Sequence, residues 1–166
     1  GSASHMCLTY FQNVTGTRFQ VVPYRGAAPV MQDLVGGQVD LTCLEAGQSL
    51  GAYRAGGFKA YAILADKRFA LVPDVPTVDE AGTPGLHFPF WHALWATKGT
   101  PKPIVAKLNA AVAAGLADPA VQKRFGDLGM EIAPKEQQTP EGLYAMHKAE
   151  MEKWTPIIKA AGIQPN

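Results

Sequence analysis

The sequence holds only two cysteines in 166 residues, Cys7 and Cys43, too few for a disulfide scaffold and without the CxxC spacing of a zinc or redox site. Charge of one sign is lacking too: 15 Lys and Arg face 14 Asp and Glu, and no basic run exceeds Lys67-Arg68. That balance excludes a nucleic-acid groove or an acidic-lipid surface. No apolar stretch reaches the roughly 18 residues needed to span a bilayer, because Gly, Pro or a charge interrupts every candidate. No G-x-S-x-G elbow surrounds Ser49, and Gly36-Gly37 and Gly56-Gly57 follow helical patterns rather than opening them, so neither a hydrolase elbow nor a phosphate cradle is present. What is there is 47% hydrophobic residues, spread along the whole length and punctuated by 17 Gly and 13 Pro. Such a composition excludes disorder and suits one ordinary domain or two small lobes sharing a hinge.

Residues 1–6, Gly-Ser-Ala-Ser-His-Met, read as residues left by cloning that carry no fold information. Leu8, Tyr10 and Phe11 follow at once as part of a helix stopped at Gly16, which places the start of the chain inside a larger protein. Arg18 to Val22 is a short β-rich run ended by Pro23. Pro29 then stands in a first helical turn, with Val30, Leu34 and Val35 as one apolar face up to Gly36-Gly37. Val39, Leu41 and Cys43 alternate with Asp40 and Thr42, predicting a strand over 38–44 with Cys43 buried in it, followed by a helix through Leu50 and Tyr53. Phe58 to Leu64 is a third strand, and strands alternating with short helices predict an α/β fold with a mostly parallel sheet flanked by helices.

A Pro- and Gly-rich stretch, Val72 to Gly85, leads to the aromatic segment Leu86 to Thr97, where Pro89 argues against a regular central strand. A crossover between lobes is placed over 87–99. Beyond it Thr100 caps a helix carrying Ile104, Leu108, Val112 and Leu116. Asp118-Pro119 starts another with Val121 and Phe125, and Gly126 to Ile132 leads into a short strand. Thr139-Pro140-Glu141 opens a last helix with Leu143, Met146, Trp154, Ile157 and Ala161 on its inner face and Gly162 as its stop.

Few residues offer chemistry. His87 and His92 are five apart, on opposite faces of an extended segment, and do not make a metal pair. His147 reads as a solvated helix residue among Lys148, Glu150 and Lys153. Cys43 with His87 or His92 is the only thiol–imidazole pairing available to a nucleophilic mechanism. The segment Val22-Pro23-Tyr24-Arg25-Gly26-Ala27-Ala28-Pro29 leaves a strand and enters a helix. Unpaired N–H groups at such a helix start suit a carboxylate, Arg25 adds a bidentate charge, and Gly26 lets backbone approach a ligand. The alternative is a tight connection with Arg25 pointing into solvent.

From about Phe11 onward the chain resembles the Bug family of periplasmic solute-binding proteins, receptors of tripartite tricarboxylate transporters. The resemblance is carried by Thr15-Gly16 before Val22-Pro23-Tyr24-Arg25-Gly26, by Asp33-Leu34-Val35-Gly36-Gly37-Gln38-Val39-Asp40, and by Pro73-Asp74-Val75-Pro76-Thr77 with Glu80-Ala81-Gly82. Trp91, Gly99-Thr100-Pro101, Lys107-Leu108-Asn109, Lys153-Trp154 and Ala160-Ala161-Gly162-Ile163 continue it. The resemblance implies a periplasmic-binding-protein-like, type II Venus flytrap fold, of which this chain is the C-terminal half. Residues 7–86 then belong to the second lobe, 87–99 form the hinge, and 100–166 return to the first lobe. It implies capture of a small organic carboxylate in the periplasm for the membrane components of the transporter, with no catalysis, cofactor, metal or nucleic acid. Carried over by position, Tyr24, Arg25, Gly26, Ala27 and Ala28 face the ligand, as do Thr42, Cys43 and Glu45 at the end of the 38–44 strand. Family members often show a Phe-Asp pair where this chain has Cys43-Leu44-Glu45, and Trp91 packs the hinge or, as the alternative, walls the cleft. Two alternatives stand beside this reading: a truncated chain that binds nothing and self-associates as a dimer or domain swap, and a hydrolase using the Cys43 thiol.

Overall fold

The computed structural model describes residues 2–160, which separate into two units, 2–90 with 158–160, and 91–157. In the first unit, α1 (Ala3–Thr15) begins where the Ser2 hydroxyl accepts the His5 N–H and ends at Gly16, whose φ of 68° only glycine adopts without strain. Residues 3–6 therefore form the first turn of this capped helix.

Helix α2 (Ala27–Val35) starts at Gly26, and α3 (Ala46–Arg54) starts at Glu45. The two helices pack against each other, and Val35 at the end of α2 sits where a side chain on Gly57, just beyond α3, would have to go, at 3.1 Å. The core below them is Leu50, Val72 and Val75, with Tyr53, Ala60, Ile63, Phe69 and Leu71 packed around it. The Pro- and Gly-rich stretch contributes most of the buried residues, including Thr77 and Val78, and Leu86, which follows it directly, is buried too. Its turn is held by a reciprocal pair: Thr77 N–H donates to Glu80 Oε2 at 2.8 Å and Glu80 N–H to Thr77 Oγ1 at 3.2 Å, the arrangement of a capping box.

Among the described residues there is no regular strand, so those expected over 18–22, 38–44 and 58–64 and after 126–132 are not formed here. One isolated parallel bridge joins Ile63 and Thr77, with Ile63 N–H on Pro76 O and Val78 N–H on Ile63 O, each 2.8 Å. A strand exists only through its ladder, and alternation reports which face would be buried, not where the partner lies. Phe19, Val21, Val22, Leu41 and Tyr61 accordingly stay exposed. The 126–132 stretch has a different cause: Gly129 N–H bonds Gly126 O and Met130 N–H bonds Phe125 O, so it is the Schellman ending of the preceding helix.

The second unit holds α4 (Lys102–Ala117), α5 (Pro119–Asp127), one 3₁₀ turn (Lys135–Gln138) and most of α6 (Pro140–Ala160). The chain turns by 70° between α4 and α5, at Asp118, whose carboxylate accepts the N–H groups of Ala120 and Val121. Pro101, rather than Thr100, stands at the α4 cap; the Thr100 hydroxyl donates instead to Thr97 O. On α4, Val112 and Leu116 are half-buried while Ile104 and Leu108 are exposed, so only half of the predicted stripe is covered. Asn109 Nδ2 donates to Gln138 O at 2.7 Å and ties α4 to the 3₁₀ turn. Thr139 Oγ1 accepts the Gly142 N–H at the start of α6, and any side chain on Gly142 would collide with Glu136 O. Leu143, Met146, Trp154 and Ile157 are half-buried on α6, while Ala161 and Gly162 lie outside the described residues. No single described helix is long and apolar enough to cross a membrane.

Candidate functional site

The loop that the sequence singles out, Tyr24 to Ala28, leads directly into α2. Gly26 is the residue before the helix and has φ 108°, a conformation barred to residues with a Cβ, and no side chain bonds the first turn. Pro29 has no N–H, so the amides at the start of α2 are those of Gly26, Ala27 and Ala28, and they carry the positive end of the helix dipole. Arg25 lies exposed beside them. Tyr24 behaves differently from its neighbours. Its hydroxyl donates to Asp33 Oδ2 at 2.6 Å, and that carboxylate raises the phenol above the ordinary tyrosine range by accepting its proton and by its charge.

The second predicted cluster lies at the start of α3. Glu45 takes the cap position with extended backbone, its carboxylate accepts from Gln48 Nε2 at 3.0 Å, and its carbonyl accepts the Gln48 N–H. Thr42 is half-buried three residues before the Glu45 cap. Cys43 is not a free thiol: it forms a disulfide with Cys7 of α1, 36 residues away in sequence, with 6.3 Å between the Cα atoms. With no free cysteine in the chain, the thiol hydrolase alternative loses its nucleophile, and two cysteines act as a staple rather than as an isolated pair. Both predicted clusters therefore precede helices of the first unit that pack on each other.

The histidines are placed otherwise than expected. His87 Nε2 lies 3.0 Å from Asp79 Oδ2, in a turn where Gly85 N–H donates to Asp79 Oδ1 at 2.8 Å. His147 is half-buried in the second unit, edge-on to Trp95 at 4.9 Å and to Trp91 at 6.4 Å between ring centroids, so it is not a solvated helix residue. Trp91 packs on this imidazole. Among the described residues no three metal-ligating side chains converge.

Sequence reasoning missed two side chains that hold these loops. Cys7 is legible only as an even cysteine count, and Asp33 as the first residue of a family-like stretch and an acid in the last turns of α2, where the helix dipole disfavours it, with nothing to name Tyr24 as its partner.

The profile of the tripartite tricarboxylate transporter family receptor, TctC, matches residues 1–163. A protein from the TAR-I ttuE-ttuC' intergenic region of Agrobacterium vitis is 40% identical over 162 residues, covering 98% of this chain and 47% of that protein. BugT of Bordetella pertussis is 32% identical over 162 residues, 98% of this chain and 49% of BugT. Among solved structures, the periplasmic binding protein BugD superposes with a TM-score of 0.90 at 41% identity, over 99% of this chain and 55% of BugD. MatC from Rhodopseudomonas palustris with bound malate gives 0.90 at 39% identity, over 95% of this chain and 53% of MatC. An R. palustris protein with adipate gives 0.88 at 33% identity, over 100% of this chain and 55% of that one. This chain spans about half the length of the curated relatives it matches. A profile that spans nearly the whole sequence, with binding proteins of the same fold at up to 41% identity, settles the relationship: the chain belongs to the tripartite tricarboxylate transporter receptor family of solute-binding proteins.

Proposed function

We propose that this chain is about half of a periplasmic receptor that captures a small organic carboxylate and delivers it to the membrane components of its transporter. One observation carries the reading: the same backbone, at TM-scores of 0.90 and 0.88, occurs in proteins solved with malate and with adipate. A carboxylate is the group that uncapped amides at a helix start and a neighbouring guanidinium suit, and the Tyr24 to Ala28 loop supplies both. Thr42, Cys43 and Glu45 form the second side of the proposed contact, with Cys43 contributing backbone only, since its sulfur is bonded to Cys7. Binding, not catalysis, is the task. A disulfide within the first unit fits the oxidising periplasm.

The segments 18–22, 38–44 and 58–64 are proposed as strands of a mostly parallel sheet in the longer receptor. Residues 7–86 are assigned to the second lobe of a Venus flytrap, 87–99 to the hinge, and 100–166 to the first lobe.

The test is a thermal-shift screen with mono-, di- and tricarboxylates, malate and adipate among them, on this chain and on the complete protein encoded by its gene. A ligand that binds only the folded state raises the midpoint by mass action, by an amount that grows with the logarithm of its concentration. A rise confined to one carboxylate series supports the reading and names the ligand class. Unmoved midpoints for the complete protein across the whole screen overturn it.

A further inference from the structure

We infer that Asp33 is a positioning residue for the Tyr24 to Ala28 loop: by holding the Tyr24 hydroxyl against the flank of α2, it fixes the direction from which Arg25 and Gly26 approach. This rests on the receptor reading above. The bond spans nine residues, from two positions before Gly26 to the seventh residue of α2, at 2.6 Å. Six residues, somewhat under two turns of helix, separate Asp33 from the start of α2, about 9 Å along the axis at 1.5 Å per residue. The Tyr24 phenol is therefore drawn away from the loop tip, and its only proton is committed to Asp33.

Three features make this fastening necessary. Gly26 at φ 108° is a pivot with the widest backbone freedom of any residue, so the loop needs an anchor elsewhere. The usual anchor, a Ser, Thr, Asp or Asn side chain capping the first turn, is absent, and it would occupy the very amides that a ligand needs. Finally, an acid in the last turns of a helix works against the dipole, so the helix itself gives no reason for Asp33 to be there. Tyr24 gives one. The pair sets the approach without covering the amides of Gly26, Ala27 and Ala28, and it removes Tyr24 from direct contact with a ligand carboxylate.

The experiment compares Asp33→Ala, Tyr24→Phe, the double variant and Asp33→Asn in the complete protein, at a temperature well below every unfolding midpoint. Two readouts are taken: affinity for malate and adipate by calorimetry, and the amide NMR signals of Gly26, Ala27 and Ala28. Asp33→Ala and Tyr24→Phe are expected to weaken binding by roughly tenfold each, the scale of one charge-assisted hydrogen bond, and the double variant by no more than either. Asp33→Asn keeps an acceptor and restores most of the affinity, which a loss of general stability would not do. The three amide signals move in Asp33→Ala and return in Asp33→Asn. Unchanged affinity in Asp33→Ala, or additive losses in the double variant, overturns the inference. If the unmodified protein binds neither probe, the receptor reading for these ligands fails by itself. The amide signals then decide alone: movement in Asp33→Ala upholds the positioning role and stationary signals end it.

Discussion

Leu86 has no exposed surface although it follows a Pro-Gly pair in a region without helix or strand. Truncating it leaves a cavity that the surrounding turns cannot collapse, so Leu86→Ala is expected to cost about 2–5 kcal/mol in urea unfolding. A loss below the cost of a surface substitution would show that the turn region is loosely packed. Beside it, two carboxylates are held ionised to lower pH than usual. Asp79 is lowered by the Gly85 N–H and then by His87, and Glu80 by Arg68, 2.8 Å from its Oε2, and then by the Thr77 N–H. The folded chain therefore binds fewer protons than the unfolded chain across the window between these lowered values and the ordinary carboxylate range near about 4. Their stabilisation is complete above that range and disappears as pH falls through the lowered values. Thermal midpoints should be level from neutrality to mild acid and then decline, and Asp79→Asn with Glu80→Gln should flatten the decline. An acid limb identical in this double variant would assign the decline to other groups.

At the scale of elements, the Cys7–Cys43 staple joins α1 to the approach of α3. Closing a 36-residue loop removes enough freedom from the unfolded chain to stabilise the fold by about 4 kcal/mol in the chain-entropy account. Replacing both cysteines by serine should lower the urea midpoint accordingly, and an unchanged midpoint would mean that the unfolded chain already keeps these segments together. Helices were legible because their signals are local: Gly16 stops α1, Asp118-Pro119 starts α5, and Thr139 opens α6. Within 126–132, Gly129 is a helix stop, so that stretch closes α5 before any strand. The other three expected strands have no ladder here for a non-local reason, since the composition of 18–22 or 38–44 is silent on which chain segment completes it. The loops proposed to meet a ligand were legible as helix starts. Their fastenings were not, because Tyr24 to Asp33 and Cys7 to Cys43 are pairings across distance that no motif announces.

At the scale of the whole molecule, the division falls between Phe90 and Trp91, and the aromatic residues are shared out unevenly across it. All three tryptophans, Trp91, Trp95 and Trp154, belong to the second unit, whereas four of the five tyrosines, Tyr10, Tyr24, Tyr53 and Tyr61, belong to the first. Tryptophan emission is thus an optical label for one unit that nature has already installed, while far-ultraviolet circular dichroism records helices of both. Reducing the Cys7–Cys43 bond should shift the dichroism transition and leave the emission transition where it was; a common shift would mean that both units melt as one cooperative block. With Trp91 and Trp95 edge-on to His147, the same emission should also change when that imidazole is replaced in His147→Ala, so that a fluorimeter reads the packing around a single side chain.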